Sequence, residues 1–103
     1  MRYEWDERKN RENQRKHGGV SFELAMIAFE DDRRLIELDR VDETGEQRWH
    51  LLGAVSVEPG SWDVLTVVHV YREDEYGEEL TRIISARWAS KNEYRRYQNQ
   101  AVE

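Results

Sequence analysis

The sequence predicts an α+β domain built as an antiparallel β-meander, with two helices before the strands and one after them. Three observations carry that prediction. The first thirty residues hold two helix starts, at Asp6 and Ser21, each followed by helical spacing. From Arg33 onward the apolar period changes to two, in four runs separated by links of hairpin length. The strand-forming run around Ile83 and Ile84 then gives way to Ser90 followed three residues later by Glu93, a capping box. A chain of 103 residues supports one such domain, spanning 1–103.

Arg2 to Trp5 alternates polar with aromatic residues and reads as an edge strand. Asp6 caps a helix that runs to about His17, where Gly18 and Gly19 stop it; Asn10, Asn13 and His17 share one side, so its contacts are expected to be polar. The helix capped by Ser21 carries Phe22, Ala25, Met26 and Phe29 and belongs to the core. Leu35, Ile36 and Leu38 mark a strand to about Arg40, and Val41 to Glu46 is a hairpin loop. Gln47 to Val55 and the β-branched run Asp63 to Arg72 follow as strands, the latter expected centrally, with Pro59 to Ser61 as the turn between them. After an acidic loop, Glu73 to Glu79, the last strand is Leu80 to Trp88. The closing helix runs from Ser90 to about Gln100, with Tyr94 and Tyr97 expected inward. The helices are expected mainly on one face of the sheet, leaving the other for a site.

Charge is unevenly placed. The net charge is -6, yet Arg8, Lys9, Arg11, Arg15 and Lys16 form one basic block and Arg82, Arg87, Lys91, Arg95 and Arg96 another. Brought together, the two blocks would hold a phosphate chain, whereas apart they are solvated helix faces. The chain has no cysteine, which excludes disulfides, thiolate zinc sites and a cysteine nucleophile. No signal peptide and no eighteen-residue apolar run is present, so a cytoplasmic protein with no membrane contact is expected.

Several short segments, in order, resemble one family. Tyr3 to Asp6 with Lys9 and Asn10, Asn13 to Gly18, Val20 to Ala25, Gly45 to Arg48, Val68 with His69, Arg82 to Arg87, and Glu93 to Tyr97 together resemble the BrnT toxins of type II toxin–antitoxin systems. Trp88 and the lengthened acidic loop depart from that pattern. The resemblance implies a RelE-like fold and RNA cleavage that stops translation. It also implies neutralisation by a BrnA-like ribbon-helix-helix antitoxin, through which alone the complex would touch DNA. The competing expectations are a non-catalytic relative that serves as antitoxin partner or co-repressor, and a nucleic-acid-binding module with no antitoxin.

Metal-independent RNA cleavage needs a base for the 2′-hydroxyl, cations for the phosphate and an acid for the leaving 5′-oxygen. Without a cofactor, Glu, His, Arg and Lys must supply all three. Glu46 is the candidate base, with Arg48 on the same face of its strand, although a Glu and an Arg at this spacing also form ordinary surface pairs. His69 is preferred among the three histidines as acid or phosphate donor; His50 shares parity with Arg48, and His17 is assigned to the end of the first helix. Arg87 is the first choice for phosphate, with Ser85 on its side of the strand. Arg82, five residues earlier, is also expected among the RNA contacts, although regular alternation puts it on the opposite face from Arg87. Lys9 and Lys16 on the first helix, and Lys91 in the second basic block, complete the expected RNA contacts.

Overall fold

The computed structural model describes residues 2–100. Its order is β1 (Arg2–Glu4), α1 (Glu7–Lys16), α2 (Phe22–Ala28), β2 (Leu35–Val41), β3 (Gln47–Glu58), β4 (Ser61–Glu73), β5 (Glu79–Trp88) and α3 (Lys91–Gln98). The domain is α+β, but the sheet is mixed. Strands β2 to β5 form the expected antiparallel meander, and β1 pairs in parallel with β5, giving the order β1-β5-β4-β3-β2. Because β1 and β5 are not consecutive in the chain, no hairpin links them, and a parallel pairing is open to them.

Local chemistry sets the element ends. The Asp6 carboxylate accepts from the backbone N–H groups of Arg8 and Lys9, Ser21 caps Leu24, and Ser90 with Glu93 closes the capping box on α3. The β2–β3 and β4–β5 hairpins use the same turn, Asp-Glu-X-Gly-Glu. Asp42 accepts from the N–H groups of Thr44 and Glu46, Asp74 accepts from those of Tyr76 and Glu78, and Gly45 and Gly77 take positive φ. This common turn chemistry keeps both hairpins tight, so β2 and β4 run further than their apolar residues alone indicate.

The helices are not gathered on one face. Helix α2 covers the face formed by Leu51, Val55, Leu65, Val67, Ile83 and Ala86, which with Val20, Phe22, Ala25, Ala28 and Phe29 make the main core. Helix α3 lies on the reverse face, where Glu93 meets Thr66, a residue that alternates with Leu65 and Val67. Its inward residue is therefore Glu93, 8% exposed, whereas Tyr94 is 38% exposed. Tyr97 is half-buried and donates to Asp31, which ties the end of α3 to the loop before β2.

Helix α1 packs by hydrogen bonds rather than by apolar contact. The Asn13 amide donates to the carbonyls of Val20 and Ala86 at 2.9 and 2.7 Å and accepts from the Ala86 N–H at 3.2 Å. It thus takes the place of a neighbouring strand where β1 has ended, and β5 is left with no bare edge there. Asn10 accepts from the Phe22 N–H at 2.8 Å and joins α1 to α2. Both asparagines are buried.

Candidate nucleic-acid interface on the α3 face

The face that carries α3 is covered only at one end. Directly paired residues of neighbouring strands project to the same side, so the register gives the open remainder as cross-strand rows. Leu35, Leu52, Thr66 and Arg87 form the row under α3, and Glu37, His50, Val68 and Ser85 form the next. Glu4, Arg82 and Val70 form a third row, which Arg48 and its partner Arg40 continue. Half-buried Val68 is the floor, with His50 and Ser85 on either side of it.

Arg82 and Arg87 share this face, contrary to the alternation rule applied to the sequence. The ladder between β4 and β5 shifts at Val68/His69, where Ser85 pairs with Val68 and Ile83 with His69, leaving Ile84 as an additional residue. This β-bulge inserts one residue and restores the parity of Arg82 to that of Ser85 and Arg87.

Arg87 is held in place. Its two terminal nitrogens bind the Glu93 carboxylate at 2.6 and 3.0 Å, and Glu93 also accepts from the Thr66 hydroxyl and the Ser90 N–H. The paired guanidinium, with the two further hydrogen bonds, holds the Glu93 carboxyl down at about 2, and the same pairing raises Arg87. The Arg87 side chain remains 40% exposed, so the fork is oriented yet reachable. Three other arginines of the face are paired as well: Arg82 with Glu4 at 3.2 Å, Arg48 with Asp42 at 3.5 Å and Arg72 with Glu46 at 3.5 Å.

Unpaired cations lie at the adjoining edge. Lys9 and Lys16 of α1, which make no ion pair among the described residues, line a cavity of about 250 Å³ together with Asn13, His17 and Ser85. Because Asn13 is bonded to Ala86, between Ser85 and Arg87, the first basic block abuts the second. Lys91 is not part of this cluster. It lines a separate depression with Asp63, Tyr94 and Arg95 along the outer side of α3.

Two residues favoured from sequence lie elsewhere. His69 is fully buried on the α2 face, against Phe29 and Tyr71, where burial lowers its pKa to about 4 and keeps it neutral. Its ring nitrogens meet the Val67 carbonyl and the Tyr71 hydroxyl, so it is a packed, satisfied histidine with no path to a phosphate on the opposite face. Glu46 is on the α3 face but at its far end. Six residues of strand separate it from the Arg87 row, about 20 Å at about 3.3 Å per residue, and its partner is Arg72. It cannot serve as base for a phosphate held by Arg87. The histidine that does share the face is His50, and parity with Arg48 was the signal for it. Among the described residues no group of three or more His, Asp or Glu side chains is arranged to hold a metal ion.

The fold and face define a small α+β domain with a partly covered sheet face of oriented arginines and a lysine-lined edge. The chain itself belongs to the BrnT family, described as the ribonuclease toxin of type II toxin–antitoxin systems, whose family model matches residues 5–93. That span takes in α1, the whole meander and Glu93. No curated protein matches the chain. Family membership makes this a type II ribonuclease toxin with an antitoxin as its partner.

Proposed function

We propose that this RelE-like domain is a metal-independent endoribonuclease that stops translation by cutting RNA on its α3 face, and that a BrnA-like ribbon-helix-helix antitoxin neutralises it in the cytoplasm. The observation that carries the reading is the placement of Arg82, Ser85 and Arg87 on one open face beside the unpaired Lys9 and Lys16. Arg87 binds the scissile phosphate with the donors that Glu93 leaves free, Ser85 adds a hydroxyl, and Arg82 and Arg48 reach the flanking charge from the next row. Lys9 and Lys16 draw the RNA backbone along the edge of β5, and Lys91 meets it only where the strand passes beyond α3. Oriented cations of this kind stabilise charge that grows on the phosphate oxygens as the 2′-oxygen attacks.

A non-catalytic role as antitoxin partner draws on one specific feature: Arg48, Arg72, Arg82 and Arg87 of this face are each paired with a carboxylate. Cleavage of RNA by the purified chain decides between the two. Wild type is expected to cut, and Arg87→Ala to lose about 100-fold or more in rate while the circular dichroism spectrum stays folded. Arg87→Lys, which retains charge but not the fork, should fall between them. Full activity in Arg87→Ala would overturn this assignment.

A further inference from the structure

The row that floors the open face contains a histidine and a carboxylate already joined. His50 Nε2 lies 2.7 Å from Glu37 Oε1, and the same oxygen receives Arg96 of α3 at 3.0 Å. These bonds hold the Glu37 carboxyl below its ordinary range, with His50 the largest cause. An ionised carboxylate only accepts, so Nε2 carries a proton, and in the neutral tautomer compatible with this bond the lone pair is on Nδ1. Nδ1 stands 3.8 Å from Asp39, too far for a hydrogen bond. Nδ1 makes no hydrogen bond among the described residues, and the His50 side chain is 16% exposed.

From this arrangement, and resting on the ribonuclease reading above, we infer that His50 is the general base of the reaction and that Glu37 is its positioning residue. Two strand spacings of about 4.8 Å place His50 about 10 Å from Ser85 across Val68, a span that one phosphodiester with its flanking riboses fills. Arg87 lies one row to one side and Arg82 one row to the other. The groups that face the imidazole are Glu37 and Asp39 from β2, Arg96 from α3 and Arg48 along its own strand, while β4 presents Val68.

In the step itself the bond between the 2′-oxygen and phosphorus forms and the bond from phosphorus to the 5′-oxygen breaks. The 2′-hydroxyl proton passes to Nδ1 of His50. The departing 5′-oxygen takes a proton from water, and the hydroxide so formed is neutralised by the proton that His50 releases. The products are a 2′,3′-cyclic phosphate and a 5′-hydroxyl. Glu37 fixes the tautomer and stabilises the imidazolium that forms, the division of labour a carboxylate–histidine pair provides.

The test is single-turnover cleavage of a short RNA, followed across pH, by wild type, His50→Ala, Glu37→Gln and Arg87→Ala. His50→Ala is expected to lose about 100-fold or more, to lose the rising limb of the pH–rate profile, and to regain rate when imidazole is added. Glu37→Gln should lower the rate less and gain nothing from imidazole. A structural role would produce neither the change of profile nor the rescue. If wild type cuts, Arg87→Ala does not, and His50→Ala cuts with a wild-type profile, the base is another group and the ribonuclease reading stands. Absence of cleavage by folded wild type on any RNA offered would overturn both.

Discussion

Replacing Glu93 with Gln isolates the anchor on which the Arg87 site depends. Glu93 is 8% exposed and accepts from Arg87, Thr66 and Ser90 at once. A carboxyl moved from 4.5 to about 2 is worth about 3 kcal/mol of folding free energy. The Arg87 side chain is 40% exposed, and solvent screening reduces the figure to about 2 kcal/mol. Because the folded-state pKa is depressed, this stabilisation is fully present above about 4.5 and is lost as pH falls from there toward 2. Urea unfolding of wild type and Glu93→Gln at a series of pH values is the assay. The two should differ by about 2 kcal/mol at pH 7, and their curves should converge below pH 4. Asp31, Glu37, Asp42 and Asp74, whose carboxyls are also held low, are present in both proteins and cancel. A difference that stays constant down to pH 2.5, or none at pH 7, would refute the view that Glu93 is an ionised anchor.

Asn13→Ala removes three buried hydrogen bonds and leaves the Ala86 backbone without a partner. It should cost about 2–4 kcal/mol in urea unfolding, and a cost below about 1 kcal/mol would mean that water replaces the amide. Gly53→Ala would set a Cβ 2.4 Å from the Ala28 carbonyl oxygen of α2. It should destabilise by about 1–3 kcal/mol through displacement of α2, and a neutral or raised melting temperature would show that the helix yields freely.

The sequence by itself determined the elements, because their signals are local. Asp6, Ser21 and Ser90 with Glu93 cap the three helices in the structure as their spacing indicates, and four period-two runs became β2 to β5. Family membership was legible for the same reason: its motifs are short segments in fixed order, and the family match covers residues 5–93. What the sequence could not settle depends on relations between distant segments. Parity assigned Arg82 to the wrong face because one additional residue, Ile84, reverses alternation, and a bulge is fixed by the register of two strands rather than by either alone. His69 stood out as a histidine in a central strand, yet which face α2 would cover decided that it is buried and neutral. Glu46 lay close to Arg48 along the chain, whereas its distance from Arg87 is set by the pairing of β3, β4 and β5. His50 met Glu37 only because the β2–β3 hairpin brings together residues thirteen apart, and Arg96 reached the same carboxylate from α3. Local propensity specifies where elements start and stop; tertiary packing decides which face each charged side chain occupies, and that is the property on which the chemistry depends.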